Sequence, residues 1–200
     1  GDHAGVHVGS AGDVNGDGGF NVLDIVNLAN CVLNDSCDAA PDGGCAADVN
    51  GDGSWNVLDI VQLANCVLND SCGGRVSDAS ESKLIILDNM VSLEAEGFIG
   101  GVQMTLTHRD NFSIEMTEDA LLADYRTSGY ETKLLVITPE TKDLFSFEGD
   151  FEITEIIVAN SHAEISVELP NAVDPHDAGL ITEFSLSTAY PNPFNPTTIM

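Results

Sequence analysis

The sequence predicts a multidomain chain of 200 residues, with a small α-helical module first and an antiparallel β-sandwich after it. Three observations predict this. A 25-residue unit occurs twice, from Asp13 to Cys37 and from Asp48 to Cys72, with 22 positions identical and a period of 35 residues. Each copy ends in apolar residues on helical spacing. From Lys83 onward the apolar residues alternate instead, in short runs separated by turn residues. The boundaries that follow are an N-terminal segment over 1–12, the repeated module over 13–72, a linker over 73–82, the sandwich over 83–170, and a second linker with a distinct tail over 171–200.

Each copy opens with a twelve-residue loop. In the first, Asp13, Asn15, Asp17, Asn21 and Asp24 place oxygen-bearing side chains at positions 1, 3, 5, 9 and 12. Gly18 stands at position 6, where the chain turns sharply, and the carbonyl of Gly19 is free to serve at position 7. The second loop repeats the pattern with Asp48, Asn50, Asp52, Asn56 and Asp59, and with the carbonyl of Ser54 at position 7. Calcium is a hard ion that takes six to eight oxygens at about 2.3–2.6 Å, and this spacing wraps one ion in one turn of chain. Two calcium ions are therefore expected, one in each loop.

A helix is expected after each loop. Val22, Leu23, Ile25, Val26, Leu28, Ala29, Val32 and Leu33 share helical spacing, as do their counterparts from Val57 to Leu68. Asn21 and Asn56 suit the N-cap, and Asp24 and Asp59 lie in the first turn, where the helix dipole favours a carboxylate. No helix precedes either loop, because Gly9-Ser10-Ala11-Gly12 and Pro41-Asp42-Gly43-Gly44 break the approach. An EF-hand has helices on both sides of its loop; here only the exiting helix is present.

A duplicated loop and helix of this kind, with Asp at position 12, resembles the dockerin family over Asp13 to Cys72. The resemblance implies a binding module, not a catalyst, that folds around two calcium ions and docks on cohesin domains, which are β-sandwiches. It also implies recognition by Val22-Leu23 and Val57-Leu58, and by Ala29, Asn30, Ala64 and Asn65 on the helix face. These residues are the same in both copies. Apolar Val-Leu stands where many dockerins carry hydroxyls, and the same pairs are read equally well as core.

Charge and cysteine content narrow the setting. The net charge is −27, which makes nucleic acid and anionic membrane surfaces poor partners. Up to Cys72 there are eleven Asp and no Glu, Lys or Arg, so cations are needed to relieve repulsion and calcium binding should be coupled to folding. No apolar run approaches the roughly 18 residues of a membrane helix. All five cysteines lie in the repeated half. Both copies contain Cys-Val-Leu-Asn-Asp-Ser-Cys, which makes Cys31–Cys37 and Cys66–Cys72 the symmetric disulfides and leaves Cys45 odd. Cys37–Cys45 is an alternative pairing, and free thiols are another. Paired cysteines and calcium together indicate an oxidising, extracellular setting.

In the second half, Lys83–Leu87, Val91–Ala95, Val102–Thr107, Phe112–Met116, Lys133–Thr138, Leu144–Glu148, Phe151–Ala159 and Ile165–Leu169 read as strands. Gly97, Gly100-Gly101, Asp110-Asn111, Ser128-Gly129, Pro139 and Gly149-Asp150 punctuate them. Eight short strands suggest an antiparallel sandwich. The stretch from Gly97 to Leu106 resembles a shortened cohesin; an immunoglobulin-like sandwich of another family is the alternative. The tail from Leu186 to Ile199 resembles the opening of the C-terminal sorting domain of the type IX secretion route. That implies export to a bacterial cell surface.

The sequence contains no G-x-S-x-G, H-E-x-x-H, P-loop or Cys/His metal spacing, and its five histidines are scattered. The expectation is a non-catalytic extracellular calcium-binding assembly protein that self-associates head to tail as a fibre or surface-layer subunit. Its partner would be a cohesin-like β-sandwich on another copy, giving a homo-oligomer. Two alternatives are a module that attaches the chain to a separate cohesin-bearing scaffold, and a fragment of a secreted polysaccharide-degrading enzyme.

Overall fold

The computed structural model describes residues 11–39, 44–69 and 77–170, all within one compact unit. Cys72, residues 73–76 of the expected linker, and the tail with its sorting-domain resemblance lie outside the described residues.

The two helices form where the periodicity places them, α1 over Val22–Leu33 and α2 over Val57–Asn69. Asn21 has the extended backbone of an N-cap, and its side-chain oxygen accepts from the Leu23 amide at 2.8 Å. Asp24 completes a capping box by accepting from the Asn21 amide at 2.9 Å. Asn56 and Asp59 repeat both bonds at the start of α2. Ile25, Leu28, Ala29 and Val32 of α1 share one core with Ile60, Leu63 and Ala64 of α2. A disulfide joins Cys31 to Cys37, whose Cα atoms are 4.7 Å apart, and leads into a single 3-10 turn over Cys37–Ala39. This rules out the alternative Cys37–Cys45 pairing. Cys66 is also disulfide-bonded, while Cys45 is free and exposed.

Nine strands follow among the described residues: β1 Glu81–Leu87, β2 Met90–Ala95, β3 Gly101–His108, β4 Ser113–Met116, β5 Ala120–Ser128, β6 Glu131–Pro139, β7 Asp143–Glu148, β8 Phe151–Ala159 and β9 Glu164–Glu168. They pair in the order β4-β7-β2-β1-β9-β8-β3-β6-β5. Strand β9 joins two sheets, pairing with β1 on one side and β8 on the other. Leu84, Val91, Leu93 and Phe145 from the first sheet pack with Val102, Met104, Leu106, Leu134 and Val136 from the second. The result is the expected sandwich, antiparallel except for one pair: β1 and β9 run parallel, with Glu81 opposite Ser166.

Three features differ from the sequence reading. Strand β5 was not anticipated. The segment expected to be linker is ordered from Ser77: Asp78 bridges Phe98, and β1 begins at Glu81, inside that segment. The third difference positions the site. On β3, Val102, Met104 and Leu106 enter the sandwich core, while Gly101, Gln103 and Thr105 between them are buried on the opposite face. On β6, Leu134 and Val136 point into the sandwich, whereas Leu135 and Ile137 join the core of the helices. The β5-β6-β3-β8 sheet is therefore covered on both faces, and the helical module is a third layer.

Candidate metal loops and docking face

Both loops are closed by their own side chains. In the first, Asp13 accepts from the Gly18 amide at 3.1 Å, Asn15 from Asp17 at 2.8 Å, and Asp17 from Gly19 at 2.9 Å. Asp24 reaches back across the loop to accept from the Asn15 amide at 3.1 Å. The second loop repeats this network, with Asp48 accepting from Gly53, Asn50 from Asp52, Asp52 from Ser54, and Asp59 from Val49 and Asn50. Gly18 and Gly53 have φ of +90° and +84°, the left-handed turn expected at position 6, in which a side chain would be strained.

Among the described residues, no three His, Cys, Asp or Glu side chains are gathered into a ready metal cluster. The donor chemistry fits calcium nonetheless, since every predicted donor is an oxygen. Asp13 Oδ1 is buried without a hydrogen-bond partner, which leaves a charge-bearing atom in want of a cation. Asp24 and Asp59 are fully buried. Burial pushes the Asp59 carboxyl up to about 6, the amide of Asn56 and then that of Asn50 pull it down, and the charge of Asp52 adds to the rise. A divalent cation beside it would reverse that balance. Exposed Asp17 is held below the usual carboxylate range by the Asn15 side chain and then by the Gly19 amide. Asp13, Asn15, Asp17, Gly19, Asn21 and Asp24 are the residues that would hold one ion, and Asp48, Asn50, Asp52, Ser54, Asn56 and Asp59 the other.

The second feature of the site is a face on α2 that rests on the sheet. Gly100 just before β3 and Gly101 at its start lie directly beneath it. A Cβ on Gly101 would lie 2.7 Å from Val57 Cγ2, and one on Gly100 would lie 2.4 Å from Val61 Cγ1. Only glycine lets the helix approach this closely. The first free amide of α2, that of Val57, donates to Gln103 Oε1 at 3.1 Å, so a side chain from β3 satisfies a helix-terminal donor. Further along, Asn65 Nδ2 donates to the Ser161 carbonyl at 2.9 Å. Ile137 and Ala159 complete the apolar floor. At the rim, Lys133 of β6 pairs with Asp35, which follows α1. Thr138, a β-branched residue at φ +49°, donates its amide to the Gly100 carbonyl at 2.7 Å, so the edge of the cradle holds a strained residue in place.

The first repeat carries the same residues in the open. Val22 is 48% exposed where Val57 is 0%, and Val26 is 37% exposed where Val61 is 2%. Leu23 and Asn30 are exposed, whereas Asn65 is buried. The residues expected to recognise a partner thus divide three ways. Val57 and Asn65 are engaged by the chain's own sandwich, and Leu58 is half-buried. Val22, Leu23 and Asn30 face solvent. Ala29 and Ala64 are neither, because both lie in the helical core. Sequence reasoning missed the receiving surface. Its signals were the Gly100-Gly101 pair, read only as a turn, and the unbroken apolar run Leu134-Leu135-Val136-Ile137, which suits a strand buried on both faces.

Comparison with known proteins bears on the repeated half. Residues 11–68 match the family model for the dockerin type I domain. No curated protein matches the chain. Among solved structures it is similar to a non-cellulosomal cohesin from the hyperthermophilic archaeon Archaeoglobus fulgidus, at 16% identity and a TM-score of 0.29, over 46% of this chain and 82% of that one. It is also similar to a cohesin module from a Clostridium perfringens family 33 glycoside hydrolase, at 11% identity and a TM-score of 0.28, over 47% of this chain and 100% of that one. Residues 11–68 thus carry the dockerin type I pattern read from the paired loops, joined here to a mostly antiparallel β-sandwich.

Proposed function

We propose that this chain is a non-catalytic, extracellular, calcium-binding assembly protein, with one ion in each loop, whose copies associate head to tail through the helical module and the sandwich. One observation carries the reading. The second repeat's outer face rests on the β3-β6-β8 surface of its own chain, so a docking face and a surface that receives it occur in the same molecule. A head-to-tail contact that does not close into a ring builds a filament. The Cys31–Cys37 disulfide suits an oxidising compartment outside the cell. No helix among the described residues is long and apolar enough to cross a membrane.

The test is sedimentation of the full chain over a range of concentrations, in calcium and in chelator. Species larger than a monomer in calcium, lost in chelator, are expected. A monomer at every concentration in calcium would overturn self-assembly. Exposed Phe20, Val22, Leu23 and Val26 on the first repeat favour a second reading, in which this patch attaches the chain to a β-sandwich on a separate scaffold. A monomeric chain that binds an added cohesin through that patch would support it.

A further inference from the structure

We propose that the β3-β6-β8 face is an exchangeable docking surface: the helical module of one chain leaves its own sandwich and, through the outer face of its second repeat, seats on that of a second copy. This deepens the assembly reading above and rests on it, and it names the contact by which copies join.

The bonds that hold α2 to the sheet link residues far apart in sequence. Val57 to Gln103 spans 46 residues, and Asn65 to Ser161 spans 96. Both bonds, together with the Val57 and Val61 contacts to Gly100 and Gly101, are reproduced unchanged if the sandwich belongs to another molecule. Own and exchanged contacts then differ through the connecting segment and the concentration of chains, since exchange of an identical element creates no new interface. The receiving face is also selective. Gly100 and Gly101 leave no room for a Cβ, Gln103 must present its oxygen to a helix N-terminus, and Lys133 supplies the cation that meets Asp35. The repeats have no Lys or Arg of their own up to Cys72, so contact with the sandwich, and not with another module, supplies the cation that pairs with Asp35.

The contact can be trapped. A Cβ on Gly101 lies 2.7 Å from Val57 Cγ2, so cysteines at both positions fall within reach of a disulfide, whose Cβ atoms are about 3.5–4.5 Å apart. In a Cys45→Ser background, full chains carrying only Val57→Cys are mixed with full chains carrying only Gly101→Cys, in calcium and under mild oxidation. A cross-linked dimer that appears only in the mixture, increases with concentration and is lost in chelator is expected. If the mixture stays uncross-linked while a chain carrying both substitutions cross-links within itself, the contact is confined to one molecule and exchange is wrong. If neither cross-links, Gln103→Ala, which adds no Cβ at the glycines, decides: unchanged self-association in calcium overturns exchange, and weakened self-association supports it. Sedimentation of the unsubstituted chain separates this from the broader reading. Self-association without cross-linking in the mixture means that copies join by another surface, so exchange fails and assembly stands. A chain that stays monomeric overturns both.

Discussion

The two repeats begin their helices with the same five residues, Val-Leu-Asp-Ile-Val, behind the same Asn cap. Their inward faces behave alike: Ile25 and Ile60, Leu28 and Leu63, and Ala29 and Ala64 are all buried in one core. Their outward faces do not. Val57 and Val61 press into the glycine cradle of β3, while Val22 and Val26 stand in solvent. Local sequence cannot produce that difference, because the local sequence is the same. The sandwich produces it, by offering one receiving surface to a module that has two equivalent faces. An apolar outer face on a helix is therefore a competence to dock, and a second element decides whether it is used.

The largest expected effect comes from removing calcium. An ion present at a thousand times its dissociation constant stabilises a site by about 4 kcal/mol, and it is expected to supply the partner that buried Asp13 Oδ1 lacks. Chelator should abolish the helical signal in circular dichroism. It should also uncover Leu135 and Ile137 on the sheet, so that a hydrophobic dye binds to a still-folded sandwich. Unchanged helix in chelator would count against coupling of metal and fold.

The next effect compares equivalent positions. Val61→Asp buries a charge against Gly100 and Gly101 and should cost about 3 kcal/mol or more in denaturant unfolding. Val26→Asp, at the matching position of the first repeat, should stay within about 0.5 kcal/mol of the parent. Equal costs would mean that the two faces are not distinguished. Smaller still, Gln103→Ala leaves the buried Val57 amide without its acceptor, for which about 1–3 kcal/mol is expected. Asn65→Ala should cost about 1 kcal/mol through its bond to Ser161, whereas the same change at exposed Asn30 should be near neutral.

The parts of this molecule that were legible are those whose information is local. The loop donors recur at fixed spacing, the helix caps are asparagines next to apolar runs, and eight strands announce themselves by alternation or by short apolar runs between turn residues. Strand β5 was missed because Ala120-Leu121-Leu122-Ala123-Asp124 is poor in strand-favouring residues and lies at the sheet edge, half-exposed, where packing does not impose a clean alternation. The parallel β1–β9 pair and the ordered stretch before β1 depend on partners far along the chain, as in the Asp78–Phe98 bridge. The docking surface was hidden for the same reason. Gly101 and Gln103 read as a turn and a polar strand position until α2 is placed above them, and no pattern within β3 says what will cover it.

The central claim is that the sandwich engages the outer helix face of the second repeat and not the matching face of the first, and amide hydrogen exchange tests it most directly. Val22 and Val57 follow the same residue and precede the same residue, so their intrinsic exchange rates are the same. The Val57 amide is buried and donates to Gln103, and no counterpart of Gln103 stands over Val22 among the described residues. Residue-resolved exchange on the full chain in calcium should find Val57 protected by more than tenfold over Val22. Equal exchange at the two amides would contradict the account.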